Sequence, residues 1–529
     1  MSAPPVRSSS VDRRRFLEYV WWGAGSAMAM ALMPGSTLKA AHRFTNNPFT
    51  LGVASGDPTA SGIVLWTRLA PEPADPTALG TATIPVHWRI ARDDAMRRVV
   101  AQGTASAKAE LAHSVHVEVK GLRAGADHFY QFHTGAEEST IGHFRTAPAH
   151  DEWARQLTFA VATCQDFPSG YYTAYRDMVQ NDLDLVLHLG DYSYEYFIGG
   201  SNRTEGVDTA APFNAETIDL HTYRLRHTLH KLDPDLQAAH AAFPFVVVWD
   251  DHEVQNDYSG LAPEWGSPSP EFSARRAAAY QAFYEHLPIR LSRALDPADE
   301  LRIYRRLNYG RLAEFTMLDD RQYRTDNPCG DGESLRCAAA LGDDYTMLGR
   351  RQERWVKEGL DDSRARWSIV GQQLLLAELE HLPYENERYW NDAWDGYPMA
   401  RQRLLDAVVD ERVRNPVFFT GDWHSTFVND LKLDFKDPAA PTVATEFVTP
   451  AITTGGDDEP YGPYYRPMIP HNPHIRYYEG DRRGYMKTTV TKNQLQVDLR
   501  FVTSVVDPGA TGYTERTFYV EDGTPGAVG

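Results

Sequence analysis

Leu185-Val186-Leu187-His188-Leu189-Gly190-Asp191-Tyr192-Ser193-Tyr194 is an apolar run that ends on a glycine and then on a polar, aromatic cluster. The run reads as a buried strand of the parallel type, and Gly190 permits a sharp turn that holds Asp191 at the strand end. Four more clusters resemble it. Ala162-Thr163-Cys164-Gln165-Asp166 closes the run Leu157 to Thr163. Trp249-Asp250-Asp251-His252-Glu253, with Asn256 just after, closes Phe245 to Trp249. Thr420-Gly421-Asp422-Trp423-His424 closes Val417 to Thr420, and Gly371-Gln372-Gln373 follows a run from Trp367. Metal-ligand residue types repeated at strand ends point to one site on the edge of a layered sheet fold.

Around these runs the chain alternates strands with helical patterns. Helices are predicted near Ser273 to His286, Leu348 to Leu360 and Pro398 to Val413, the second opening after Asp343 and Asp344. From Thr442 the strands return, at Thr445 to Thr449, Tyr485 to Val490, Leu495 to Val502 and Arg516 to Val520. That order predicts an α/β fold, a four-layer αββα sandwich over residues 154–521. Residues 45–147 differ. Their closely spaced strands, Ile63 to Thr67, Ile84 to Ile90, Ser114 to Val119 and His128 to Phe132, predict a small N-terminal β-sandwich domain that packs against the main domain and shapes its entrance. Residues 522–529 are rich in Gly and Pro and are expected to be a loose tail.

The 529-residue chain carries a formal net charge of -19, which argues against a nucleic-acid or anionic-membrane partner. An acidic protein acting on an anionic substrate needs a local positive source, and bound metal ions supply one. At the N-terminus, Arg13-Arg14-Arg15-Phe16-Leu17 precedes a short apolar stretch from Tyr19 to Met33. This reads as a twin-arginine export signal over residues 1–41, so the Tat export machinery is an expected partner and the location is periplasmic or secreted. Gly23, Gly25 and Ser26 interrupt the stretch, which is short for a membrane anchor, and no span is expected in the mature chain. There are three cysteines. Cys329 and Cys337 lie close enough to form a small loop disulfide after export, which leaves Cys164 either buried and inert or a metal ligand.

The clusters sort by chemistry. Asp191 is placed to bridge two metals. Tyr194, three residues on, reads either as a ligand to a strong Lewis acid such as ferric iron or as a buried aromatic of the Tyr192, Tyr194, Tyr196 run. Thiolate, phenolate, carboxylate and imidazole from Cys164, Tyr194, Asp191 and His424 suit a transition metal. Asp251, Asp422 and Asn256 offer only oxygen and, with Asp191, suit Ca2+. His252 is a candidate to protonate a leaving oxygen or to hold a phosphate, its other reading being a supporting hydrogen-bonding histidine. Asp250 and Glu253 are expected to support the ligands. A two-metal phosphatase is expected to place a histidine where Gln372 and Gln373 stand, and its replacement is consistent with a harder second site.

Together these motifs resemble the PhoD-type alkaline phosphatases and phosphodiesterases, relatives of the purple acid phosphatases. The likeness runs from about Asn47 to about Val520 and includes Leu318-Asp319-Asp320-Arg321-Gln322-Tyr323-Arg324 and Asp395-Gly396-Tyr397-Pro398. The resemblance implies a metallophosphatase core with Fe3+ on Cys164, Asp191, Tyr194 and His424, and Ca2+ facing Asp191, Asp251 and Asp422, with Asn256 beside them. It implies hydrolysis of phosphate monoesters and diesters at alkaline pH, with phospholipase D-type cleavage as an alternative. No serine or cysteine with a paired base stands out, so no covalent intermediate is expected. A non-catalytic phosphate-binding protein is the rival of a different kind. An iron oxygenase would require two histidines and a carboxylate, which His424 and His252 match poorly.

Overall fold

Two sheets stack face to face in the computed structural model, which describes residues 44–206, 209–290, 301–381, 387–457 and 460–529. The export signal expected over residues 1–41 lies outside these residues. The first sheet has ten strands, in the order Thr524–Val528, Gly512–Glu521, Gln494–Val502, Gly484–Val490, Leu157–Ala162, Leu185–His188, Pro244–Val247, Val53–Thr59, Gly62–Arg68 and Ser114–Lys120. The second has seven, in the order Arg305–Tyr309, Ala313–Met317, Trp367–Gln372, Pro416–Thr420, Thr442–Val448, Thr426–Lys432 and Ile475–Glu479. Leu157–Ala162, Leu185–His188 and Pro244–Val247 run parallel, as do Ala313–Met317, Trp367–Gln372, Pro416–Thr420 and Thr442–Val448. Leu157–Ala162, Leu185–His188, Pro244–Val247, Trp367–Gln372 and Pro416–Thr420 are buried along their whole length, as expected of parallel strands covered on both faces.

Between the sheets lies an aromatic core. Phe159 of the first sheet meets Phe315 and Phe419 of the second edge-on, at 5.3 and 5.6 Å between ring centroids. Helices cover the outer faces. On the second sheet, Val356 and Leu360 of Gly349–Asp362 and Leu404, Leu405 and Val408 of Pro398–Asp410 pack against Val370 and Phe418. On the first, the cover includes Thr173–Val179, Leu220–Lys231 and Pro270–His286, which bury Tyr175, Met178, Leu229, Ala279 and Phe283. Local chemistry sets the ends of these helices: Asp219 accepts from the Thr222 N–H, and Ser269 from the Phe272 N–H just before Pro270. The four-layer αββα sandwich expected from the sequence is the observed architecture.

The N-terminal segment forms a sandwich, but not a separate one. One layer is a sheet of its own, with Val99–Ala107, Ile84–Ala91, Asp127–Thr134 and Gly142–Arg145. The other layer, Val53–Thr59, Gly62–Arg68 and Ser114–Lys120, is continuous with the ten-stranded sheet. Ser55 pairs with Pro244 and Gly56 with Phe245, in parallel. The core between them is Val53, Ile63, Leu65, Val115 and Val117 against Ile84, Val86, Tyr130, Phe132 and Phe144. The linker after residue 147 is therefore a boundary in sequence, not a break in the sheet.

The tail corrects the sequence reading. Thr524–Val528 is an edge strand, with Tyr519 opposite Val528, and Ala527 is buried. Asp522-Gly523 provides the two-residue reversal, with Gly523 at φ 78°. The Gly/Pro composition hid this hairpin signal. The tail also ties the two sheets: Gly523 N–H donates to Asn415 Oδ1 at 2.7 Å and Gly526 N–H to Thr445 Oγ1 at 3.0 Å. Truncation after Glu521 is expected to lower stability by on the order of 2 kcal/mol, the net value of a few lost hydrogen bonds. An unchanged urea midpoint would mean that the tail contributes nothing.

Candidate metal centre

The site forms where the C-terminal ends of the parallel strands of both sheets converge. Leu157–Ala162 delivers Cys164, Leu185–His188 delivers Asp191, Pro244–Val247 delivers Asp251, and Pro416–Thr420 delivers Asp422 and His424. Crossing hydrogen bonds hold the ends together, among them Thr449 Oγ1 to Val161 O and Ile452 N–H to Thr163 O. Gly190, at φ 112°, is packed so closely on the neighbouring strand end that a Cβ would stand 2.4 Å from the Cβ of Asp250. Glu253 braces the same turn, accepting from the N–H groups of Asp191, Tyr192 and Asp250 at 3.1, 2.6 and 2.8 Å.

Cys164, Asp191, Asp422 and His424 all have positive φ, between 52° and 59°. Non-glycine residues rarely adopt this conformation, and its recurrence at four candidate ligands marks a functional site. Ligand atoms of Cys164, Asp191 and His424 lie within 4.8 Å of one another. Those of Asp191, Asp251 and His252 do so too, as do those of Asp191, Asp250, Asp251 and Asp422. Asp191 belongs to all three groups. Tyr194 joins the first: its Oη lies 3.0 Å from Asp191 Oδ2 and 3.4 Å from His424 Nε2, and it accepts from Thr454 Oγ1 at 2.7 Å. Cys164 Sγ is 3.4 Å from Asp191 Oδ2.

The electrostatics call for cations. Asp191 Oδ1, Asp250 Oδ2 and Asp251 Oδ1 are buried without a hydrogen-bond partner. Burial above all, with repulsion from Asp251, Asp250 and Glu253 added to it, holds the Asp191 carboxyl well above the usual carboxylate range against the pull of His252. Burial and the Asp191 carboxylate likewise push the Cys164 thiol and the Tyr194 phenol well up. Deprotonated, both would need strong positive charge beside them. The His424 imidazole is held down at about 3 by burial and by the nearby His252 and Arg483, so it is neutral and can act as a ligand. A soft-to-borderline set of sulfur, phenol oxygen, nitrogen and shared carboxylate thus lies next to a set of carboxylate oxygens alone, and this donor chemistry fits one transition-metal ion beside a harder cation.

His252 sits at the edge of the second group. Its Nδ1 lies 2.8 Å from Glu195 Oε2, and its ring stacks on Tyr194 at 4.2 Å. Burial pushes its pKa down, but Asp251, Glu195 and Asp191 outweigh that and raise it well above the usual range. Asn256 stands one step back: its N–H donates to Glu195 Oε1 and its side-chain amide to Glu264 Oε2. Gln372 and Gln373 are struts, the first donating to Thr420 Oγ1 and accepting from Trp394 Nε1, the second accepting from the Asp320 N–H.

The sequence reading passed over the most central cation. Arg321 is fully buried and threads the acidic set, with Nε on Asp250, Nη1 2.7 Å from Asp392 Oδ2, and Nη2 3.5 and 3.6 Å from Asp251 Oδ1 and Asp422 Oδ1. Asp392, Glu195 and Thr454 were also missed as parts of the site. The Leu318 to Arg324 motif contains Arg321, but nothing local in it names the carboxylates that Arg321 reaches. Glu195 directly follows Tyr194, whereas Thr454 lies in a loop without any cue.

The chain matches the PhoD-like phosphatase family over residues 159–499 and the N-terminal domain of PhoD-like phosphatases over residues 35–148. It is 40% identical over 523 residues to alkaline phosphatase D of Bacillus subtilis (strain 168), covering 98% of this chain and 89% of that protein. The solved structure of PhoD superposes with a TM-score of 0.87 at 41% identity, covering 92% of this chain and 93% of that one.

Proposed function

The chain belongs to the PhoD-like phosphatase family, and on that premise we propose that it hydrolyses phosphate monoesters and diesters at alkaline pH outside the cytoplasmic membrane. In this reading Cys164, Asp191, Tyr194 and His424 hold Fe3+, and Asp191, Asp251 and Asp422 face Ca2+, with Asn256 supporting their loop. The observation that carries it is Asp191, a member of all three ligand groups with one buried oxygen left unpartnered. Cations bound there would draw in a phosphate group and neutralise charge that accumulates on it during the reaction. The side chains do the rest. Glu195 fixes the His252 ring through Nδ1, which leaves Nε2 to hold a proton for the departing alkoxide. Glu253 keeps the Asp191 turn from relaxing, and Thr454 fixes the Tyr194 hydroxyl. Cys164 is fully buried and turned to Asp191, which agrees with a route without a covalent intermediate. The Arg13 to Leu17 motif supports twin-arginine export.

Metal analysis, a visible spectrum and hydrolysis of a chromogenic phosphate ester on one sample test this reading. Iron near one per chain, calcium in excess of it, a broad visible band and turnover are expected. Zinc in active protein would overturn the metal assignment, and metal-loaded protein without turnover would overturn the enzyme reading. Tyr194→Phe is expected to remove the visible band while retaining calcium; a band that persists would place the phenolate elsewhere.

A further inference from the structure

Trp265 is 71% exposed, yet both its backbone and its ring are hydrogen-bonded. Its backbone N–H donates to Asp331 Oδ2 at 2.8 Å, and its indole Nε1–H donates to Glu264 Oε1. The ring rests on Gly332, where a Cβ would stand 3.3 Å from a ring carbon. Its φ is 52°, an uncommon conformation for so bulky a residue. Asp331 and Gly332 belong to the loop closed by the Cys329–Cys337 disulfide, and that loop is pinned from the other side by Asn391, which donates to the carbonyls of Gly332 and Gly330. Fixing a large apolar side chain in water costs entropy and gains little burial.

Hydrogen bonds connect this ring to the catalytic pocket. Glu264 Oε2 accepts from Asn256, Asn256 N–H donates to Glu195, and Glu195 holds His252. On the same histidine, Tyr196 packs edge-on at 5.3 Å, with Tyr196 and Phe197 52% and 63% exposed. The rim on the His252 side therefore presents aromatic surface. The indole N–H is already engaged by Glu264, so the Trp265 side chain offers a flat face. The surrounding carboxylates of Glu264 and Asp331 repel a second anionic group.

We propose that Trp265 is the platform of a subsite for an aromatic ring in the alcohol part of the phosphate ester, a specificity-determining residue that deepens the phosphatase reading above and rests on it. The phosphate group occupies the ligand cluster, and the ring it esterifies stacks on the fixed indole as the ester points out past His252. Aryl and nucleoside esters share this planar chemistry.

The experiment compares wild type, Trp265→Ala and Trp265→Phe as metal-loaded proteins, on 4-nitrophenyl phosphate, glycerol 2-phosphate and glucose 1-phosphate. Trp265→Ala is expected to lower kcat/KM for the aryl ester about three- to tenfold through KM, the size of one stacking contact. The other two esters should stay within about twofold, and Trp265→Phe should restore most of the loss. Equal losses on all three substrates, no loss on the aryl ester, or a loss confined to glucose 1-phosphate would overturn the subsite. A binding measurement separates the two readings. Phenylphosphonate is expected to bind wild type more tightly than methylphosphonate, with the difference abolished by Trp265→Ala, whether or not the protein turns over. Equal affinities in wild type would sink the subsite, while absent hydrolysis with this difference intact would sink only the phosphatase reading.

Discussion

Replacing Asp191 with asparagine is expected to lower turnover by about a thousandfold or more, an effect at the upper end for removing one electrostatic contributor. Its carboxylate is the one side chain common to the sulfur-containing group, the His252 group and the all-carboxylate group, so both proposed cations lose a ligand at once. The same substitution is expected to raise the stability of the metal-free protein. A carboxylate whose folded-state pKa is pushed up destabilises the fold at pH above its unfolded value, about 3.9, and an uncharged isostere removes that penalty. The paired outcome separates a lost ligand from misfolding. Urea unfolding of stripped protein should show a higher midpoint while iron and calcium contents fall. Near-normal turnover would remove Asp191 from the centre.

Arg321→Met is the second large effect, and it falls on stability. The side chain is completely buried among Asp250, Asp251, Asp392 and Asp422, with Arg324 also on Asp392. Deleting one partner of such a set leaves charge buried and uncompensated, at a cost of about 3–5 kcal/mol. Calcium is expected to recover part of the loss, because a divalent cation can take over neutralisation of Asp251 and Asp422. Arg321→Lys should recover less than its charge implies, since an ammonium cannot reproduce the fork that reaches Asp250 and Asp392 together. Urea midpoints with and without calcium measure both effects. An unchanged midpoint without calcium would mean that the acidic set is held by something else.

Much of the site was legible because the candidate ligands cluster just past the ends of buried strands. Cys164, Asp191, Asp422 and His424 each follow an apolar run and a turn, and it was the repetition of that pattern, not any one cluster, that picked them out. Taken alone, Tyr194 read more readily as a partly buried aromatic in a run of three tyrosines than as a ligand; its approach to Asp191 and His424 distinguishes it from Tyr192, whose hydroxyl turns away to His240. Arg321 was quoted within a motif and given no role. Nothing within a few residues of it announces that its guanidinium crosses to a carboxylate on the other sheet. The tail failed for a different reason: Gly and Pro dominated its composition, while the informative signal was the single dipeptide Asp522-Gly523 between two extended segments.

The sequence by itself determined the strands, the tight turns at their ends and the residue types that stand there. Those properties depend on periodicity and backbone conformation over a handful of neighbouring residues. Tertiary structure alone decided which ends meet. Adjacent parallel strands of the first sheet set Cys164 and Asp251 beside Asp191, and stacking of the second sheet, with Phe315 and Phe419 against Phe159, brings Asp422 and His424 to the same edge. The same packing joins Val53–Thr59 to Pro244–Val247 and makes the N-terminal layer part of the catalytic sheet. Such convergence is a sum of contacts between residues far apart in the chain, so no local pattern encodes it.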